Sequence, residues 1–179
     1  GQLLAAGVTS ARDAGAPLTA SLRVRERVRE RRIPGPTLYV SGPLLAKDPR
    51  PGTDAWRWTV SGAEDARAKV LRLAEAGVDY LLLDDLGLWT DEELAAVVGE
   101  ARVRGLPVEA MAGREAGIAR AVAAGVDGMQ GVGLDPAAGY PQDLYRIIER
   151  RARDGEGRRL TWSPGISGVL NFQALQKNP

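Results

Sequence analysis

Short, nearly continuous apolar or β-branched runs occur at 8–12, 37–41, 79–83, 107–111, 126–130 and 159–162. Between them, at 18–32, 63–76, 91–104, 115–124 and 143–154, apolar residues recur at the spacing of one helix face. The pattern predicts about six strands alternating with helices. A run such as Tyr80-Leu81-Leu82-Leu83 carries no polar alternation, as expected of a parallel strand covered on both faces. The tripeptides Ala6-Gly7-Val8, Ala76-Gly77-Val78 and Ala124-Gly125-Val126 each follow a helical run and precede a β-prone one. Glycine enters the left-handed conformation at a helix end without a Cβ clash, and the valine opens the next strand. Thr90 ahead of Asp91, Glu92 and Glu93 predicts a helix start, with a capping oxygen and acidic residues suited to the macrodipole.

Strict β/α alternation fits either a doubly wound open sheet or a barrel. No Gly-x-Gly-x-x-Gly turn follows the first strand, so the expected fold is α/β, a partial (β/α) TIM-type barrel of about six parallel strands alternating with helices. Segment 42–59, with Pro43, Pro49, Pro51, Trp56 and Trp58, has no periodicity; it is expected to be an irregular insertion over the barrel mouth, its tryptophans covering apolar surface. The helical run 18–32 carries Arg23, Arg25, Arg27, Arg29, Arg31 and Arg32 interleaved with Glu26 and Glu30, and is expected to present a solvated outer face.

Composition narrows the chemistry. The 179 residues include neither histidine nor cysteine, which removes the commonest general base, the commonest zinc ligand, thiolate nucleophiles and disulfides together. The formal net charge of +1 recruits neither nucleic acid nor an acidic membrane, and no stretch approaches the roughly 20 apolar residues that span a bilayer. A soluble cytoplasmic protein without nucleic-acid or membrane partners is expected. The chain opens at Gly1 directly into a helix-like run, 2–6, so a segment of a longer barrel is one expectation.

Several segments together resemble the metal-dependent amidohydrolases, in particular the imidazolonepropionase-like and Xaa-Pro dipeptidase-like branch. Leu3-Leu4-Ala5-Ala6-Gly7-Val8-Thr9-Ser10-Ala11-Arg12-Asp13 resembles that family's second barrel strand, and Ile33-Pro34-Gly35-Pro36-Thr37-Leu38-Tyr39-Val40-Ser41-Gly42 its third. The segments from Ala76-Gly77-Val78-Asp79, from Gly105-Leu106-Pro107-Val108-Glu109-Ala110-Met111, and Ala124-Gly125-Val126-Asp127-Gly128-Met129-Gln130-Gly131 resemble the fourth, fifth and sixth. The resemblance implies a hydrolase fold in which the fourth strand supplies a metal-bridging carboxylated lysine and the fifth and sixth each a histidine. Those places here hold Leu82, Met111 and Gly131. Leucine and glycine offer no side-chain donor and a thioether is a soft ligand, so the resemblance implies an inherited site without metal and no cofactor. A complete barrel takes roughly 250 residues, so residues 1–179 are expected to form one barrel segment lacking the first and last β/α units. Its open edges invite self-association or a partner chain.

Barrel sites lie at the C-terminal ends of strands, which gathers Arg12, Asp13, Ser41, Asp84, Asp85, Met111, Gln130, Trp162 and Ser163 toward one face. Arg12, Ser41, Asp84, Met111, Gln130 and Trp162 are the candidate lining of a pocket for a small-molecule ligand. Two-residue alternation turns Asp84 to the side of Leu82, and Glu109 to the side of Met111 one layer deeper. Two converging carboxylates could act as general acid and base, which makes Asp84 and Glu109 the candidate catalytic residues of a metal-independent enzyme. The plainer alternatives are that Asp84 and Asp85 sit in the loop after their strand, that Glu109 pairs with an arginine, that Arg12 pairs with Asp13, that Met111 and Met129 fill space, and that Gly131-Val132-Gly133 forms a turn. Three functions stand on this basis. They are a catalytically degenerate barrel segment with a binding or assembly role, part of an active C–N hydrolase whose metal ligands lie outside this chain, and a metal-independent enzyme using paired carboxylates.

Overall fold

A computed structural model describes residues 1–112, 115–132, 145–146, 149–150, 153 and 160–164, with the side chains of 115, 132, 162 and 164 left aside. The elements run α1 (Gln2–Ala5), β1 (Ser10–Arg12), α2 (Leu18–Arg29), β2 (Thr37–Tyr39), β3 (Leu44–Ala46), β4 (Arg57–Thr59), α3 (Ala63–Ala76), β5 (Leu81–Leu83), a 3-10 turn (Leu86–Leu88), α4 (Asp91–Val103), β6 (Val108–Met111), α5 (Glu115–Ala124), β7 (Gly128–Val132) and β8 (Thr161–Pro164). Every strand pairing is parallel. The architecture is therefore the expected α/β one, part of a (β/α) barrel. The strands form two sheets, β1-β2 and β4-β3-β5-β6-β7-β8. A backbone hydrogen bond from Asp79 N to Val40 O (2.7 Å) ties the two together where β2 runs toward β5, while Asp13 N to Tyr39 O (2.9 Å) extends the β1-β2 pairing.

The glycine reading holds in the backbone: Gly7, Gly77 and Gly125 have φ of 80°, 80° and 84°, the last two directly after α3 and α5 and Gly7 separated from the end of α1 by Ala6. At Gly77 the amide closes onto Ala74 O, and the chain enters β5. Thr90 caps α4 through a capping box, its hydroxyl accepting from Glu93 N at 3.2 Å while Glu93 Oε2 accepts from Thr90 N at 2.9 Å.

Pleating divides the core. Leu45, Leu81, Leu83, Val108, Ala110 and Met129 face helices α3, α4 and α5, where Val70, Leu73, Val97, Ala101 and Ile118 complete the main apolar layer. Burying a leucine such as Leu81 or Leu83 contributes about 1.5–3 kcal/mol. On the opposite face, Leu44, Ala46, Tyr80 and Leu82 form a second cluster with Trp56 packed on it. Met129 is thus a packing residue as expected, whereas Met111 is exposed at the end of β6.

Segment 42–59 departs from expectation, because it contains two further strands, β3 and β4, in register from Leu44 opposite Arg57 to Ala46 opposite Thr59. β3 inserts beside β5, so the larger sheet has two members that periodicity did not reveal. Each is only three residues long, too short to show a period. The tryptophans do cover apolar surface: Trp58 packs on the main core, with the Arg72 guanidinium 4.5 Å above its ring, and Trp56 packs on the inner cluster. The helix expected at 143–154 lies for the most part outside the described residues, as does Gly133. The strand expected at 159–162 is observed as β8, with 159 outside the described residues.

Charged side chains fix this excursion. Lys47 Nζ bonds Glu93 Oε1 at 2.6 Å and Val60 O at 2.8 Å, and the same Glu93 oxygen accepts from Gly62 N at 2.8 Å. Burial pushes the Glu93 carboxyl up, but Lys47 and the amides of Thr90 and Gly62 outweigh it and hold the group below its ordinary value. A depressed carboxyl stabilises the fold above its unfolded value, about 4.3 for glutamate, and that contribution is lost as pH falls through the lower folded value. Lys47→Met is accordingly expected to lose about 2 kcal/mol at pH 7, and less of that difference from the wild type should survive at pH 3.5. Urea unfolding of both proteins at the two pH values measures it; a deficit independent of pH would mean that Lys47 acts through packing alone.

Candidate functional site

The interior face of the sheet is built by register. Leu82 lies opposite Glu109, Glu109 opposite Gly128, and Gly128 opposite Thr161, so one row crosses β5 to β8. The next row places Met111 opposite Gln130, and Gln130 opposite Ser163. Trp162 takes its place opposite Met129. A glycine at 128 is required by the closeness of the row: a Cβ there would lie 2.2 Å from Thr161 Oγ1 and 3.1 Å from Glu109 Cγ.

Glu109 is the charged member of the first row and is buried, its side chain 5% exposed. The Arg12 guanidinium reaches it from the end of β1 and donates to Oε1, while Gln130 Nε2 donates to Oε2. Both carboxylate oxygens are thereby engaged. Arg12 remains 47% exposed, lies 5.6 Å from the centre of the Tyr80 ring, and does not pair with Asp13, which corrects the expected Arg12–Asp13 pair. The alternative that Glu109 pairs with an arginine is the one observed. The Arg12 side chain reaches across the open interior to this mid-strand carboxylate instead of turning back to the neighbouring Asp13.

That loop has its own geometry. Asp13 Oδ1 accepts from Gly15 N at 2.9 Å and from the Ser41 hydroxyl at 3.4 Å, while Oδ2 is buried without a partner. Burial raises the Asp13 carboxyl above its ordinary value against the lowering effect of those donors. The Tyr80 hydroxyl donates to Asp13 O. Burial, reinforced by the charges of Asp13 and Glu109 against hydrogen bonds from the Gln130 and Ser41 side chains, raises the Tyr80 phenol as well, so it is a donor at neutral pH. Arg12, Ser41 and Gln130 from the expected lining thus gather around Glu109, Asp13 and Tyr80. Tyr80 was missed, although its alternation with Leu82 already placed it on the interior face.

Asp84 and Asp85 follow β5 in a loop, as the plainer alternative held. They do not meet Glu109. The Arg57 guanidinium donates through Nη1 to Asp84 Oδ2 at 2.7 Å and through Nη2 to Asp85 Oδ2, and its Nε donates to Asp48 O at 3.0 Å. Asp84 and Glu109, the two candidate catalytic carboxylates, therefore each have an arginine of their own. Asp85, at φ 57°, holds the left-handed conformation that opens the 3-10 turn.

The three positions where the resemblance places metal ligands are also defined. Leu82 is buried against Leu44, Ala46 and Tyr80; Met111 ends β6; and Gly131, at φ 62°, sits in an irregularity of β7 between Gln130 and Val132. Among the described residues, no group of three or more His, Cys, Asp or Glu side chains could hold a metal ion. No helix among them is long and apolar enough to cross a membrane.

This partial barrel is the fold of solved amidohydrolase-superfamily hydrolases. A putative prolidase from Bifidobacterium longum superposes with a TM-score of 0.67 at 27% identity, over 82% of this chain and 37% of that one. A solved amidohydrolase gives 0.67 at 24% identity over 87% and 47%. A prolidase complexed with N-methylphosphonate-L-proline gives 0.68 at 22% identity over 83% and 41%. The chain spans less than half the length of each of these structures. No family model matches the sequence, and no curated protein matches it.

Proposed function

We propose that this chain is an amidohydrolase-type barrel segment without catalytic metal chemistry, serving to bind a small ligand or to assemble with another chain. One observation carries the reading: the carboxylate of the interior row, Glu109, is bound on both oxygens by Arg12 and Gln130, beside positions held by Leu82, Met111 and Gly131. A hard divalent ion needs several free oxygen or nitrogen donors converging at about 2.0–2.2 Å. Leucine, methionine and glycine do not fit that requirement, and the nearby carboxylate is already neutralised. The half-exposed Arg12 and the exposed Met111 leave a polar and an apolar contact open for a ligand. β1, β4 and β8 are each paired on one side among the described residues, and such edges accept a strand from a second chain.

A second reading is favoured by the length comparison. The solved hydrolases are more than twice as long as the matched region, which supports reading this chain as one wall of a C–N hydrolase whose metal ligands lie elsewhere. Metal-independent catalysis by Asp84 and Glu109 has less support, since each is held by a different arginine.

Metal content tests the first. After incubation of the purified chain with zinc, manganese or iron and desalting, mass spectrometry is expected to find well under one equivalent bound. Stoichiometric retention would overturn the proposal, because a metal site would then exist within this chain.

A further inference from the structure

A second cleft lies away from Glu109, between the C-terminal half of α2, the start of β2 and the turn that enters β5. It has a volume of about 750 Å³, and its walls include Arg25, Arg29, Arg31, Tyr39 and Asp79. That is within the usual range of roughly 300–1,000 Å³ for a site that takes a small organic molecule.

Its charge is one-sided. Of the three arginines, Arg25 bonds Asp79 Oδ2 at 2.6 Å, and the same oxygen accepts from Val40 N at 2.8 Å. Asp79 is the one acid in the lining, so the wall carries two uncompensated positive charges. Among the described residues Arg29 and Arg31 have no ion-pair partner, and Arg25 Nε is buried without a hydrogen-bond acceptor. The C-terminal half-charge of α2 attracts a basic residue, but its size, about half an elementary charge, does not call for three.

Arg31 supplies an independent observation. The end of α2 closes with Arg32 N on Arg27 O at 2.8 Å and Arg31 N on Val28 O at 3.0 Å, which places Arg31 at φ 59°. Glycine normally takes this left-handed position, because a Cβ there is strained. A long cationic side chain stands where the backbone favours glycine, and Arg31 lines the cleft. Beside the arginines stand apolar surfaces, Val28, Leu38 and the exposed ring of Tyr39.

We propose that this cleft binds a small phosphate monoester with an apolar body, the phosphate held by Arg25, Arg29 and Arg31 and the body packed on Val28, Leu38 and Tyr39. Guanidinium forks match phosphate oxygens in pairs. The chemistry is separate from the Glu109 interior.

Calorimetric titration of the purified chain with phenyl phosphate and with inorganic phosphate tests this. Phenyl phosphate is expected to saturate one site and to bind about tenfold or more tightly than inorganic phosphate. Arg29→Ala and Arg31→Gly should each weaken it about tenfold, a loss of one charge-assisted contact. Arg31→Gly should also raise Tm, so its loss of binding cannot be charged to misfolding. Arg23→Ala, on the same helix but outside the cleft, should bind as the wild type does. No saturable binding, equal affinity for the two phosphates, or a loss in Arg23→Ala matching that in Arg31→Gly would each overturn the proposal.

Discussion

Arg57→Met is expected to destabilise the chain by about 3–5 kcal/mol, a large part of the 5–15 kcal/mol that holds an ordinary domain together. The Arg57 side chain is 1% exposed and donates to Asp84, Asp85 and the Asp48 carbonyl, while Asp85 is 12% exposed. Methionine replaces the volume, so little of the loss is cavity. What remains is a pair of adjacent, largely buried carboxylates whose nearest remaining cation is the half-exposed Arg50, 3.5 Å from Asp85 Oδ1, together with an unanswered carbonyl. Urea unfolding at pH 7 measures the loss, and an unchanged m-value would confirm that the unfolded state is the same. Asp85→Asn should cost far less, about 1 kcal/mol, since asparagine tolerates the left-handed conformation and still accepts from the guanidinium. A loss below 1 kcal/mol in Arg57→Met would mean that water, rather than Arg57, satisfies these acids.

The same cluster explains why part of the fold escaped the sequence. Helices α3 and α5 were legible to the residue, because their apolar face repeats over several turns and glycine ends them at 77 and 125. β3 and β4 were not, since three residues cannot show a period and Pro43, Pro49 and Pro51 marked the segment as irregular. Their placement is set instead by contacts distant in sequence, Arg57 to Asp84 and Asp85, and Lys47 to Glu93. One signal was present: Leu44-Leu45-Ala46 is an apolar run of strand composition, and Trp58 stands at the same distance from it as Val60 from Lys47.

The interior site was legible by half. Alternation turned Glu109 and Met111 to one face and Asp84 to that of Leu82; the register places Leu82 and Glu109 in one row, whereas Asp84 lies beyond the end of β5. It could not choose partners. Arg12 and Glu109 are 97 positions apart, and only closure of β1-β2 onto the larger sheet brings them together. Asp84 stands in the loop after β5 and is captured by Arg57 of β4, an element the pattern had not shown. Burial thus decided both pairings: each carboxylate took the arginine that the fold carried to it.

For Arg12 and Glu109 the expected result is an asymmetry. Arg12→Met leaves a buried carboxylate with Gln130 as its remaining side-chain donor, and should cost about 2–3 kcal/mol, discounted from the value for a fully buried pair because Arg12 is 47% exposed. Glu109→Gln leaves an arginine that can turn into water, and should cost about 1 kcal/mol. The double variant, Arg12→Met with Glu109→Gln, should be more stable than Arg12→Met alone, since the stranded charge is gone. Urea unfolding of the four proteins closes the cycle; equal single losses that simply add would show that the pair is not coupled. Activity supplies the complementary reading. If Glu109 were a general acid or base, Glu109→Gln would fold and lose hydrolysis, whereas a carboxylate that serves to hold Arg12 in the interior changes ligand affinity and leaves no hydrolytic rate to lose.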